Sequence, residues 1–362
     1  MQTKLKPNIT KIKNVLNKKS QYVFLRGDCK ELLKEFPEEC VDCVITSPPY
    51  WKMREYEVGT KYRSLIIGNE NNPSEYVKNL VEVFNKVKRV LVPTGSLWLN
   101  LGDKYYNKHL MGMPWRVALA LQDDGWILRN DIIWNQLKGT QSSKDRLRDV
   151  YEHIFHFVKN EKYFYDDTRI RIKPKKQPYI SNGNITSATG VSGKKYREQI
   201  IKSQELTNEE KKQALKALDE TIEKMKRGEI VDFRMTIRGM QRTYHSDNGN
   251  VSGRAKELES KGYFILKSHA EGYMPSDIWN IVPEDVWRKD AHYAVFPIEL
   301  LEIPIKATLP PNGILLDPFM GTGSAVAAAV MFGGRGIGID ISKKYIATAR
   351  KRMKKLGQQS EH

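Results

Sequence analysis

Two short stretches far apart in the chain carry the residue types from which chemistry can be built. Thr46-Ser47-Pro48-Pro49-Tyr50 follows the apolar run of Val41, Val44 and Ile45. Asp317-Pro318-Phe319-Met320-Gly321-Thr322-Gly323-Ser324 follows Ile314, Leu315 and Leu316. In the first, Ser47 Oγ and the Pro48 carbonyl are two hydrogen-bond acceptors, and prolines fix the direction in which a carbonyl points. Tyr50 adds an aromatic face beside them. In the second, a strand ending in an acid, then Gly-x-Gly, then a helix start build a tight turn whose glycines let a ligand approach the main chain. Asp340, closing Gly336-Ile337-Gly338-Ile339-Asp340, is placed to accept hydrogens from both hydroxyls of a ribose.

The glycine turn by itself suits NAD as well as S-adenosylmethionine. Two details separate them. The full G-x-G-x-x-G is absent because Val326 occupies the third position. Asp317 would repel a pyrophosphate but suits the ammonium of a methionine moiety. No lysine follows the glycines, so a Walker A loop is excluded as well.

These residues need strands and helices to hold them. Tyr22–Arg26 reads as a strand ending at Gly27-Asp28, followed by a helix through Leu32, Leu33 and Phe36, where Asp28 can serve as N-cap. Val41–Ile45 is the next strand. Ser74–Leu91 has helical apolar spacing, and Ser96–Leu101, Ile127–Trp134 and Tyr151–Val158 read as strands around a helix over Pro114–Gln122. The rhythm resumes with strand Ile278–Val282, helix Pro297–Ala307, strand Ile314–Leu316, helix Ala325–Met331, strand Gly336–Ile339 and helix Lys343–Lys354. Such alternation predicts an α/β fold with a doubly wound, mostly parallel sheet.

Between the two halves the chain turns polar, basic and rich in Gly, Asn and Ser. One helix stands out there, Glu209–Arg227, with a Thr207/Glu210 capping box and an apolar stripe of Ala214, Leu218, Ile222 and Met225. The resulting division is a basic, loosely docked arm over 1–20, a catalytic half over 21–158, an insert over 159–275, a second half over 276–356 and a tail over 357–362.

The 362 residues carry a formal charge of +17. A nucleic-acid partner explains that excess, and so does lysine-rich codon usage. Three cysteines suit a reducing compartment. Cys40 and Cys43 lack the second pair that a zinc site needs, so strand packing is expected of them and no metal. No apolar run approaches the roughly 18 residues of a membrane span, and the basic N-terminus lacks the apolar stretch of a signal peptide. The expectation is a soluble, cytoplasmic protein with no membrane contact.

In combination the motifs resemble those of DNA amino-methyltransferases, enzymes that methylate an exocyclic base nitrogen. Catalytic motif first and cofactor motif last is the circularly permuted, beta-class order of that family, and Ser-Pro-Pro-Tyr is similar to its N4-cytosine form. The resemblance covers about 22–158 and 276–350. It implies a Rossmann-like methyltransferase with an inserted target-recognition region, S-adenosylmethionine as cofactor and double-stranded DNA as substrate. It also implies a prokaryotic, nucleoid-associated setting beside a cognate restriction endonuclease that need not touch it, and it admits a homodimer. The N6-adenine branch is the alternative. A non-catalytic DNA-binding protein is disfavoured by intact Ser47, Pro48, Tyr50 and Gly321, and glutamine methyltransferases by the motif order.

By the same resemblance the catalytic residues are Ser47, Pro48, Pro49 and Tyr50. An exocyclic amine is a poor nucleophile because its lone pair is delocalised into the ring. Ser47 Oγ and the Pro48 carbonyl would grip its two hydrogens, while Tyr50 stacks on a base flipped out of the duplex. No covalent intermediate is implied. The cofactor would be held by Asp28, Asp317, Phe319, Gly321, Gly323 and Asp340, with His292 and Phe296 from the His292–Pro297 segment wrapping the methionine end. Gly95–Asp103, Gly125–Arg129, Trp134, Lys144-Asp145-Arg146 and Tyr151-Glu152 resemble further family motifs, with Gln136 standing where Lys is expected. DNA contacts are expected from Lys144, Arg146, Arg169 and Arg171, and from Arg234, Arg238 and Arg242, whose spacing of four fits one helical face.

Overall fold

The computed structural model describes residues 7–53, 66–137, 144–181, 183–240, 253–283 and 296–359. They fall into two compact units, 1–169 with 276–362, and 170–275.

The first unit begins with helix α1 (Pro7–Leu16) and continues through β1 (Tyr22–Arg26), α2 (Cys29–Leu32), β2 (Val41–Thr46), α3 (Pro73–Val90) and β3 (Leu91–Leu101). A small hairpin, β4 (Tyr105–Tyr106) and β5 (His109–Leu110), precedes α4 (Met113–Asp123), β6 (Ile127–Asn135) and β7 (Tyr151–Val158). The second unit holds β8 (Tyr179–Ser181), β9 (Asn184–Thr186), α5 (Lys194–Lys202), α6 (Asn208–Lys226), β10 (Ile230–Ile237), α7 (Gly253–Lys261) and β11 (Tyr263–His269). The chain then returns through β12 (Ile278–Asn280), α8 (Ile298–Thr308), β13 (Ile314–Asp317), α9 (Ser324–Met331), β14 (Arg335–Asp340) and α10 (Lys343–Gln359).

Eight strands of the first unit form one sheet in the order β1-β14-β13-β2-β3-β7-β6-β12. Strand β7 is antiparallel to both neighbours, and every other pairing in that sheet is parallel. The expected doubly wound α/β fold with a mostly parallel sheet is therefore present. Burial explains the composition of its strands: β13 and most of β2 and β14 are covered on both faces and read as continuous apolar runs. Helix α9 is Ala- and Val-rich because two clusters enclose it. Ala325, Ala328 and Ala329 pack with Leu300 and Ile305, while Val326 and Ala327 pack with Phe24 and Ile346.

The N-terminal arm departs from expectation. Residues 7–16 are not loosely docked: Ile12 and Val15 are fully buried in the main core, beside Leu25 and Ile337. The Arg335 guanidinium donates to the carbonyls of Val15 and Leu16, satisfying acceptors that a helix end leaves open. Cys43 is buried with Sγ 3.4 Å from Thr308 Oγ1, its thiol pushed up to about 12 by burial, so it serves packing. No group of metal-ligating residues occurs among the described residues, and no helix there is long and apolar enough to cross a membrane.

The second unit has its own core. Ala214, Leu218 and Met225 of α6 pack on Phe233, Met235 and Ile237 of β10, with Ile200 from α5. The Thr207/Glu210 capping box is formed as expected. Arg234 lies on a strand, not a helix: β10 alternates buried and open positions and pairs antiparallel with β11.

Docking of α1 has a direct check. Ile12→Ala should destabilise the protein by about 2–4 kcal/mol, measured by denaturant unfolding. Unchanged stability would mean that the helix does not contribute to the core.

Candidate active site

In an open parallel sheet, ligands settle beyond the carboxyl ends of the strands where the winding reverses. That reversal lies between β13 and β2, since the chain runs from β13 to β14 on one side and from β2 to β3 on the other. Both motifs singled out in the sequence leave the sheet at these two ends. Thr46 and Asp317, the last residues of the two strands, meet directly: Thr46 Oγ1 donates to Asp317 Oδ1 at 2.7 Å in a buried setting. The same carboxyl oxygen accepts the Phe319 N–H at 3.0 Å.

Asp317 and Asp340 are both pushed up to about 7, chiefly by burial, and Asp340 adds charge repulsion at Asp317. Each Asp340 oxygen accepts one backbone N–H, Oδ2 from Gly321 at 3.0 Å and Oδ1 from Ser342 at 2.7 Å. A carboxylate oxygen has further lone pairs, so the pair can still accept from a ligand. Gly321 has φ +50°, and a Cβ built there would meet nothing within 4 Å. The turn therefore exposes bare main chain beside two acids. Gly323 caps α9, and Phe319 packs partly buried against the main core. Asp28, just beyond β1, accepts the Lys30 N–H at 3.0 Å and is the N-cap of α2. Phe296 packs partly buried near Leu300 and Leu301. His292, Arg242 and also Arg54, which follows the Ser-Pro-Pro-Tyr turn, lie outside the described residues.

The Ser-Pro-Pro-Tyr turn is held at its aromatic end. Tyr50 Oη donates to Glu152 Oε2 at 2.6 Å and accepts from Ser47 Oγ at 3.1 Å and from Asn100 Nδ2 at 2.7 Å. Asn100 Nδ2 also donates to Glu152 Oε2 at 2.6 Å, and Gln136 Nε2 to Glu152 Oε1 at 2.9 Å. Burial and the neighbouring Glu152 carboxylate push the Tyr50 hydroxyl well above its ordinary pKa, keeping it protonated. The ring lies over Gly102, where a Cβ would come within 2.7 Å of Tyr50 Cε2, so no larger residue fits there. Tyr76 Oη holds the Pro49 carbonyl at 2.9 Å.

Sequence reasoning left Glu152, Asn100 and Gln136 without a role. A signal was present in Asn100, a polar residue inside the apolar run Leu97–Leu101, since buried polar groups ask for a reason.

The basic residues divide by what they touch. Arg169 donates to the Leu309 carbonyl at 3.0 Å, and Arg171 to the Gly272 carbonyl at 3.4 Å. Arg238 grips both Glu210 oxygens and the carbonyls of Glu205 and Glu259, so its guanidinium ties α6 to the strand pair. Arg146 stacks on Tyr105, its Cζ 3.5 Å from the ring centre. Lys144 is exposed, and Arg234 is about half exposed with Asp232 beside it.

With this geometry in view, a family model described as DNA methylase matches residues 41–351. The chain belongs to the DNA methylase family. It is 29% identical to the type II methyltransferase M.SfiI of Streptomyces fimbriatus over 88% of each chain. It is 26% identical to the type II methyltransferase M.Cfr9I of Citrobacter freundii, over 90% of this chain and 86% of that one. Among solved structures, the PvuII DNA methyltransferase (cytosine-N4-specific) shares the fold. That match has a TM-score of 0.55 and 18% identity, over 92% of this chain and 86% of that one. The methylase thus sets its two turns side by side at the carboxyl ends of the central strands β13 and β2, with DNA as the substrate.

The raised acids carry a prediction of sign. Asp340 protonates near 7 when folded and near 4 when unfolded, so the folded state holds the extra proton between those values and stability falls as pH rises through that window. Asp340→Asn should therefore gain on the wild type by about 2–3 kcal/mol between pH 5 and pH 8, read from denaturant unfolding at both pH values. A pH-independent difference would contradict the raised acid.

Proposed function

We propose that this methylase transfers a methyl group from S-adenosylmethionine to the exocyclic N4 of cytosine in duplex DNA, as the type II modification enzyme of a restriction–modification pair. The carrying observation is that the Ser-Pro-Pro-Tyr turn and the acid–glycine turn share one hydrogen bond, Thr46 to Asp317 at 2.7 Å. A methyl acceptor and a methyl donor must be held that close. Order of motifs, Ser47 early and Gly321 late, supports the beta-class assignment, and Ser47 itself supports cytosine over adenine. The place of action would be the cytoplasm, at the nucleoid.

The donor set suits S-adenosylmethionine. Asp340 offers acceptors for two ribose hydroxyls, Asp317 a negative charge for an ammonium, Asp28 an acid beyond the neighbouring strand, and Gly321 open main chain. Phe319, Gly323, Phe296 and His292 complete the proposed cofactor contacts. The cofactor supplies an electrophilic methyl on a sulfonium. The chain's own part is to present the amine: Ser47 Oγ and the Pro48 carbonyl accept its hydrogens, Pro49 keeps the turn rigid and Tyr50 offers a ring for the flipped base. The unit 170–275 is the proposed target-recognition region. Arg234 is its better candidate for reading bases, with Lys144 and Arg146 contacting backbone phosphates. Arg238, less exposed than Arg234 and gripping both Glu210 oxygens, is better suited to holding α6 in place, while Arg169 and Arg171 remain proposed DNA contacts.

The test is incubation of the purified protein with labelled S-adenosylmethionine and mixed-sequence plasmid DNA, then nucleoside mass spectrometry. N4-methylcytosine is expected, and N6-methyladenine would overturn the cytosine assignment. Ser47→Ala should lower turnover about tenfold or more while cofactor Kd stays the same; wild-type turnover would remove Ser47 from the reaction.

Cofactor binding should also depend on pH. The contacts require Asp317 and Asp340 as carboxylates, and both protonate near 7. Affinity should weaken below pH 7 by up to about a hundredfold per pH unit if both carboxylates are required, and by about tenfold if only one is, measured by titration calorimetry at pH 5.5, 6.5 and 8. A flat profile would mean that neither acid meets the cofactor.

A further inference from the structure

Glu152 sits at the far end of a chain of hydroxyls from the proposed reacting amine, and it is acceptor-only. Each neighbour must therefore donate to it: Tyr50 Oη at 2.6 Å, Asn100 Nδ2 at 2.6 Å and Gln136 Nε2 at 2.9 Å. Tyr50 has one hydroxyl proton and spends it on Glu152. Its oxygen can then only accept, and it does so from Asn100 at 2.7 Å and from Ser47 at 3.1 Å. Ser47 in turn has one proton, committed to Tyr50, so only lone pairs remain on the side it shows to a substrate.

Asn100 reports the strength of this ordering. It is fully buried, both of its described bonds run through Nδ2, and its Oδ1 has no hydrogen-bond partner among the described residues. Turning the amide over would set its carbonyl against the carboxylate, so the unpaired oxygen is the lesser cost. Gln136 matters for the same reason. It donates to Glu152 without bringing a positive charge, which leaves the carboxylate's full polarising effect on Tyr50.

We infer that Glu152 is a positioning residue that, through Tyr50, fixes the Ser47 hydroxyl as a pure hydrogen-bond acceptor for the target amine. A free serine hydroxyl could equally turn its proton toward the amine nitrogen and occupy the lone pair that must attack. The Glu152–Tyr50 pair removes that choice before substrate arrives. This rests on the reading of Ser47 as an acceptor for an amine, in cytosine or adenine alike.

The experiment compares the full-length wild type with Glu152→Gln, Tyr50→Phe and the double variant, on mixed-sequence plasmid DNA with labelled S-adenosylmethionine. Turnover, KM for DNA and cofactor Kd are read for each. Glutamine at 152 can present an amide hydrogen to Tyr50, and phenylalanine at 50 keeps the ring while breaking the chain. Each single variant should lose about tenfold or more in kcat with KM and Kd within about twofold, and the double variant should be no worse than the poorer single one. Multiplying losses, a loss carried by KM, or wild-type kcat in Glu152→Gln would overturn the inference. Should Glu152→Gln fail to fold, Tyr50→Phe decides alone, and wild-type kcat there is fatal. A wild type that methylates no base amine would bring down the acceptor reading, and this inference with it.

Discussion

The hydrogen bond from Thr46 to Asp317 is the contact on which the site depends. Strands β2 and β13 are paired in register only at Leu315–Cys43 and Leu316–Val44, a short ladder for the middle of an eight-stranded sheet. Side chains extend it at both ends. Asp42 accepts the Ile314 N–H at 2.7 Å at the entrance of β13, and Thr46 reaches Asp317 at its exit. The two halves of the unit, more than 270 residues apart at this point, are thus fastened where the winding reverses, and the turns that follow start from a shared anchor. A threonine is well chosen for the job: its branched Cβ suits a buried strand, and its one proton is fixed by a neighbouring carboxyl.

That anchor comes with an electrostatic cost. Burial raises the cost of ionising both acids at the ends of neighbouring strands β13 and β14, Asp340 adds repulsion at Asp317, and hydrogen bonds from Thr46 and backbone N–H groups offset only part of it. A structure optimised for stability alone would place apolar residues there. Strain of this kind collects at sites that bind a complementary group, because a ligand with donors and a positive charge relieves it. The neutral His156, held near 3 by burial, stacked on Trp98 and 3.1 Å from Ser96 Oγ, shows the contrasting solution for a buried titratable side chain away from the site.

Much of this was legible in the amino-acid sequence, for identifiable reasons. Strands β1 and β7 have the bounds that apolar runs between turn residues suggest, and the capping box at Thr207 marks α6 within a residue. Helix α1 was hidden by its lysines, although Ile12 and Val15 sit three apart as a helical stripe requires. Strand β10 was ambiguous because a spacing of four returns to one face in a helix and, being even, also in a strand; the alternation of Val231, Phe233, Met235 and Ile237 is what decides it. The hairpin of β4 and β5 is too short for any periodicity to show. Of the site, the motif residues were visible and their supports were not. Glu152 reaches Tyr50 only because β7 runs antiparallel between β3 and β6, in a register that pairs Glu152 with Trp134 and Ile154 with Asn100. No local pattern encodes that register.

The same register explains why a serine can stand at position 47. A carboxylate or an amide carbonyl in that place accepts hydrogen bonds whatever surrounds it, whereas a hydroxyl's role is set by where its proton goes. The turn alone cannot decide this, because Pro48 and Pro49 have no N–H and offer the hydroxyl no competing donor. The decision is imported from β7 through Tyr50, whose own hydroxyl is kept protonated by burial and by Glu152. In the proposed reaction, rigid prolines set where the acceptors are, and the part-buried Glu152 carboxylate sets what they are. Tyrosine at position 50 then combines, in the proposed reaction, an aromatic face for a base with a hydroxyl that carries polarity from one strand to the next, two jobs that a phenylalanine would split.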